Sequence, residues 1–211
     1  MKNRKILILA IILAACTSVN SAFAQNRLKM ELGYNVSTPV GSFKNDFIKN
    51  TSYRGATGEI SYTFNPKFSL GLSSGYQSYY QKYDRQTYKL SDNQVVSAVV
   101  TNTLDVTPFI LRGTFYPMAA SETAKIQPYV SAGAGLSMVS YSQYLGEFGG
   151  TETSTPFAAQ AGAGIRIPLS KGINQTGIKI GATYNYVNYN RNEIKNLNNL
   201  GFNAGVVFSL K

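Results

Sequence analysis

Hydrophobic and polar residues alternate along this chain with a period of two, and no stretch keeps a helical period. Leu28, Met30, Leu32, Tyr34 and Val36 are separated by Lys29, Glu31, Gly33 and Asn35. Successive side chains of a strand leave opposite faces, so this segment has one apolar face and one polar, partly charged face. Ile60, Tyr62 and Phe64 repeat the pattern, as do Phe68, Leu70 and Leu72. A fourth segment, 107–115, sets Phe109, Leu111 and Phe115 against Ile110, Arg112 and Thr114, and Pro108 marks a place where a bulge is expected. The second half adds Val130 to Met138 (alternating with Ser131, Gly133, Gly135 and Ser137), Phe157 to Ile167, Ile178 to Tyr186, and Leu200 to Leu210. Eight strands are predicted, each near the ~9–11 residues that a tilted strand needs to cross a bilayer.

The connections alternate as well. Long polar stretches occupy 37–53, 82–100, 141–155 and 190–197, while 65–67, 117–125 and 169–176 are shorter. With the first strand rising from the periplasmic side, the long connections are external and the short ones periplasmic, the asymmetry of an outer-membrane barrel. The fold expected is all-β, an eight-stranded antiparallel up-and-down transmembrane β-barrel over residues 25–211. Residues 1–24 read as a secretory signal peptide. Lys2, Arg4 and Lys5 precede the apolar run 6–15, and Ala22-Phe23-Ala24 supplies a small-residue cleavage site before Gln25. A competing reading makes Leu13-Ala14-Ala15-Cys16 a lipobox, with Cys16 lipidated.

Composition then removes whole classes of chemistry. The 211 residues contain no His and no Trp and a single Cys. No Ser-His-Asp or Cys-His machinery can be assembled, and no disulfide or thiolate zinc site. No cofactor is expected. Glu31 and Glu59 remain as a conceivable carboxylate pair, although their better reading is as buried partners of interior cations. The glycine stretches 133–135 and 162–164, each with an alanine at its centre, lack the strand-to-helix context of a nucleotide loop. They read as small interior positions. Charged residues make up 14% of the chain, against roughly 25% for a soluble domain. The polar faces carry Gly, Ser, Thr and Asn, which suits a tight lumen better than a solvated exterior. Tyr76, Tyr79, Tyr80, Tyr83, Tyr141, Tyr144, Tyr184, Tyr186 and Tyr189 fall near strand ends and are expected to form an aromatic girdle.

Asn203-Ala204-Gly205-Val206-Val207-Phe208-Ser209-Leu210 resembles the C-terminal β-signal of outer-membrane proteins, with Lys211 as a departure one residue beyond it. With Leu32-Gly33-Tyr34-Asn35, Pro39-Val40-Gly41-Ser42-Phe43 and the run from Gln127 to Leu136, the chain resembles the small outer-membrane β-barrel family of Gram-negative bacteria. This family is also labelled porin family or outer membrane protein beta-barrel domain. The resemblance spans roughly 28–210. It implies location in the cell outer membrane, contact with outer-membrane lipid and lipopolysaccharide, and insertion by the outer-membrane assembly machinery. In that insertion Asn203, Gly205, Phe208 and Leu210 act as the signal. It implies no enzyme, since barrel enzymes of that membrane generally use a catalytic histidine.

The excess of 20 Lys plus Arg over 10 Asp plus Glu is spread over Lys44, Lys49, Arg54, Lys82, Arg85, Lys89, Arg191 and Lys195 rather than massed in one stripe. This argues against nucleic acid. At an outer-leaflet rim such cations suit lipopolysaccharide phosphates. Inside, the strand phases send Lys29, Glu31, Glu59, Arg112, Arg166 and Lys179 toward the lumen at neighbouring heights, with Glu31 and Glu59 expected to bridge Arg112, Arg166 and Lys179. The protein expected is a monomeric barrel with a structural or surface-interaction role, and such a network, by plugging the lumen with side chains, favours this over a conducting barrel. A passive transporter or small channel is the alternative, and a soluble binding barrel a third reading.

Overall fold

The computed structural model describes residues 27–89, 95–118, 126–145, 148–169, 176–191 and 194–210. The signal-peptide and Cys16 readings lie outside these residues. Eight strands form the wall: β1 Leu28–Pro39, β2 Arg54–Asn65, β3 Phe68–Lys82, β4 Val100–Phe115, β5 Gln127–Leu145, β6 Phe157–Pro168, β7 Gly177–Val187 and β8 Asn199–Ser209. Each pairs antiparallel with its sequence neighbour, and β8 returns to β1, from Lys29 opposite Ser209 to Pro39 opposite Asn199. Closure of the ring removes the unpaired backbone groups that lipid cannot satisfy.

The ring is staggered. At right angles to the strands, Lys29 leads through Ser61, Gly71, Arg112, Gly133, Gln160, Asn185 and Asn199 and re-enters β1 at Pro39, ten residues (39 minus 29) above its start. A stagger of this kind tilts the strands by about 35–45°, and eight strands leave an interior just wide enough for side chains.

Leu32, Ile60, Leu72, Leu111, Leu136, Ile180, Phe202 and Val206 stand on the outer face and are exposed, so the apolar face meets lipid. Aromatic rings edge this band at both ends. Phe64, Phe68 and Phe115 lie at the turn-bearing end, and Tyr34, Tyr76, Tyr80, Tyr144 and Tyr184 toward the loop-bearing end. Phe68 and Tyr80 on β3 are separated by roughly 28 Å along the membrane normal, at ~3.3 Å per residue and a tilt of about 45°. That is close to the ~25 Å apolar band of outer-membrane barrels. Tyr79, Tyr141 and Tyr189, expected in the girdle, are instead buried inside the barrel. Tyr79 and Tyr80 are successive residues of one strand, and only one of them can face lipid.

The turn between β2 and β3 shows how local chemistry sets the wall. Lys67 N–H donates to Asn65 Oδ1 at 2.9 Å, Pro66 presets the backbone, and the register shifts between Thr63 and Asn65. Pro108 introduces no bulge. Register runs unbroken through it against β5, and on its other side the β3–β4 ladder skips from Ser74 opposite Phe109 to Gln77 opposite Val106 without a shift. A missing N–H interrupts hydrogen bonding without altering alignment.

Several stretches expected as loops are strand. β3 runs to Lys82, β4 begins at Val100 and β5 continues to Leu145, where Phe148–Ser154 pairs with its upper half. A short hairpin, Gln86–Lys89 with Val95–Ala98, adds to the same end. The wall therefore extends beyond the bilayer on the loop side.

Candidate functional site

The inward faces converge on the lumen, which is built in three layers. The lowest is charged. Glu31 and Glu59 face each other directly across β1 and β2, and such like charges persist side by side only when each has its own cation. Lys179 Nζ donates to Glu31 Oε2 at 2.6 Å, and Arg112 Nη1 stands 3.0 Å from Glu59 Oε2 while its Nη2 donates to Ser73 Oγ at 2.6 Å. Each acid thus takes one cation. Arg166, 2% exposed, lies opposite Lys179 on one side and Gln127 on the other. Lys29 is half-buried at the foot of β1. The stagger explains the pairing of Lys179 with Glu31. Lys179 lies opposite Gly205, Gly205 opposite Gly33, and Glu31 is the next inward residue below Gly33. Two inward glycines therefore leave a lane for the lysine chain across β8.

Tyr129 floors the same layer. It lies opposite Gly164, which lies opposite Gly181. A Cβ on either glycine would stand 2.7 Å and 2.2 Å, respectively, from the Tyr129 hydroxyl. The ring therefore lies across two glycine positions, with the Lys179 ammonium 4.7 Å from its centroid, within the ~6 Å of a cation–π contact.

The middle layer is neutral and polar. A hydrogen-bonded chain crosses five strands: Gln160 Nε2 to Asn185 Oδ1 at 2.6 Å, Asn185 Nδ2 to Asn199 Oδ1 at 2.8 Å, Ser37 Oγ to Asn199 Oδ1 at 2.8 Å, and Ser37 Oγ with the Tyr79 hydroxyl at 2.7 Å. Asn35 Nδ2 donates to Gln77 Oε1 at 2.7 Å, and Gln77 Nε2 to Ser52 Oγ at 2.7 Å. Between this layer and the charge pairs lies a cavity of about 60 Å³. Arg112 Nε and Gln160 Oε1 have no protein hydrogen-bond partner, and their residues line it. Such walls hold water, at about 30 Å³ each.

The upper layer is apolar and was not foreseen. The stretch 37–53, read as a polar loop, folds one helical turn, Phe43–Phe47, into the barrel mouth. Gly41, at φ +63°, reverses the chain into it. Phe43 and Ile48 are 0% exposed. The Phe43 ring stands 5.1 Å edge-on from Tyr79 and the Phe47 ring 5.2 Å from Tyr141, and the Tyr83 hydroxyl donates to Phe47 O at 2.9 Å. Leu104, Val106, Val139, Val187 and Leu197 belong to the same cluster. The signal was present: Phe43, Phe47 and Ile48 repeat at helical spacing within otherwise polar sequence.

Of the rim cations, Lys44, Lys49, Arg54, Lys82 and Arg85 are exposed. At the other end, β8 is the strand that closes the ring. Asn203 pairs with Asn35 and Gly181, Gly205 with Gly33 and Lys179, and Phe208 with Met30, while Leu210 N–H donates to Leu28 O at 2.9 Å. Among the described residues no group of three or more His, Cys, Asp or Glu is placed to hold a metal ion.

A closed ring of eight antiparallel strands, apolar outside and polar within, is a transmembrane β-barrel of the outer-membrane class. The chain matches the family described as Outer membrane protein beta-barrel domain over residues 7–208 and belongs to it. Its place is the outer membrane of a Gram-negative cell. No curated protein matches. Among solved structures it is similar to Neisserial surface protein A (17% identity, TM-score 0.47, covering 87% of this chain and 96% of that one). It is also similar to the N-terminal β-barrel domain of Pseudomonas aeruginosa OprF (18%, 0.45, 87% and 97%). A third is Ail, the attachment invasion locus protein of Yersinia pestis, in complex with the heparin analogue sucrose octasulfate (14%, 0.45, 86% and 96%).

Proposed function

We propose that this protein is a monomeric, non-enzymatic surface barrel whose lumen passes no solute. Its role lies in the wall and in the loops it presents. One observation supports this reading: three layers, of ion pairs, hydrogen-bonded amides and a loop turn, stack within the lumen. Charged groups in so narrow a bore persist because they are paired, and the pairs then obstruct it. The exposed rim cations are the contact for lipopolysaccharide phosphates, in addition to the lipid around the apolar wall. Residues 1–24 direct export, and Asn203, Gly205, Phe208 and Leu210 are read by the assembly machinery. Liposomes carrying the refolded protein, challenged with small sugars, should swell no faster than empty ones. Swelling at the rate given by a water-filled porin would favour the passive-channel alternative.

A further inference from the structure

We infer that the outward face of the wall extension over β3, β4 and β5 binds the sugar chain of lipopolysaccharide, with Tyr144 as a stacking platform. The inference rests on the proposed contact with lipopolysaccharide and adds the face that reads its sugars. Register lays this face out in rows across the strands. One row runs Tyr80, Thr103, Ser142 and Thr151, and the row above it Lys82, Thr101, Tyr144 and Gly149. The alternate residues Asn102, Leu104 and Tyr141 are buried inside, so these rows point outward. The face continues the wall that meets lipid. On β4 the outward series passes from Leu111 and Phe109 to Thr107, Asp105, Thr103 and Thr101, and on β5 from Leu136 and Met138 to Ser140 and Ser142. A lipid whose acyl chains lie against the lower part therefore has its head group against the upper part.

The chemistry of the upper part suits sugars. Its described outward positions carry no aliphatic side chain, so it lacks the apolar centre of a protein interface. It offers paired hydroxyls instead. Ser140 Oγ and Thr153 Oγ1 stand 3.0 Å apart, and Ser142 Oγ and Thr151 Oγ1 2.8 Å. Each pair keeps acceptor sites and a proton for a ligand. Tyr76 Oη donates to Asp105 Oδ1 at 2.7 Å, which fixes a carboxylate on the same face. A Cβ on Gly149 would overlap the Tyr144 ring. The ring therefore lies flat across the glycine, and at 43% exposure its other side is free. A flat ring takes the C–H face of a sugar, while hydroxyls and a carboxylate bond to its edge. Arg54, opposite Ser78, and Lys82, opposite Thr101, are exposed and suit phosphates carried on the sugar chain.

The test compares two ligands for the refolded full chain in detergent micelles, by thermophoresis. One is purified lipopolysaccharide bearing its full sugar core, the other lipid A, which keeps the acyl chains and lacks the core. Wild type should bind the core-bearing form about tenfold more tightly, the scale of one or two hydrogen bonds. Tyr144→Ala and Thr103→Val should each cut that ratio to about threefold or less and leave lipid A affinity unchanged. Two variants on separate strands guard against one that fails to refold. Lys49→Met, a rim cation outside this face, should weaken both ligands alike and keep the ratio. If Lys49→Met changes neither affinity while the ratio persists, the phosphate contact fails and the sugar face stands. Equal wild-type affinity for the two ligands, or a ratio kept in both face variants, overturns the inference. Binding of neither ligand overturns it together with the contact on which it rests. A wild-type dimer that Tyr144→Ala dissociates, seen by sedimentation in the same micelles, also overturns it by assigning the face to a second copy.

Discussion

At the scale of single residues, the account rests on each lumen acid having its own cation. Glu31→Gln leaves the Lys179 ammonium buried without its carboxylate, on the scale of about 3–5 kcal/mol for a broken buried pair, reduced by the neighbouring hydrated cavity. Urea unfolding of the refolded barrel checks the loss. The double variant Glu31→Gln with Lys179→Met should recover most of it, because removing both charges removes the desolvation cost. An additive double variant would mean the pair is not coupled. Gly181→Ala makes a steric prediction. The added methyl would stand 2.2 Å from the Tyr129 hydroxyl, so the ring must move from under Lys179, at about 1–3 kcal/mol. Combining it with Tyr129→Ala should cancel the clash, measured in the same unfolding experiment. The inward direction of Lys29, Glu31, Glu59, Arg112, Arg166 and Lys179 was legible from the two-residue period alone. Which acid meets which cation was not. That depends on the ten-residue stagger, which no local pattern encodes.

At the scale of elements, strand phase was the most legible feature, because burial in lipid on one side and in a packed lumen on the other enforces alternation along every strand. The ends were less so. β3, β4 and β5 run on past the bilayer through sequence as polar as any loop, because above the membrane neither face is held to hydrophobicity. The turn Phe43–Phe47 was missed because Phe43, Phe47 and the adjoining Ile48 are diluted among Lys44, Asn45, Asp46 and Lys49. Its packing predicts that Phe43→Ala costs about 3–5 kcal/mol. Accessibility of a cysteine placed at Leu104, next to it in the cluster, should rise in that variant under a membrane-impermeant thiol reagent. Unchanged labelling would mean that the turn does not cover the mouth. β8 makes a separate prediction. It supplies both closing ladders, so a chain lacking 203–211 should fail to reach the heat-modifiable, membrane-inserted state in cells. Insertion at the normal level would contradict the assembly role of Asn203, Gly205, Phe208 and Leu210.

At the scale of the whole molecule, the apolar exterior and aromatic edges make a membrane wall, and the interior is a packed core turned inside out: ions low, amides in the middle, rings on top. The family, the outer-membrane location and the strand count were legible because they follow from periodicity and the terminal motif. The filling of the upper lumen was not, since it comes from a loop folding back into its own barrel. In the proposed function, that filling is what would make the protein a surface barrel and not a channel. Single-channel recording of the refolded wild-type protein in planar lipid bilayers measures it directly. The layered lumen predicts no steady current at any sustained voltage. Uniform, long-lived conductance steps from the wild-type protein would contradict it.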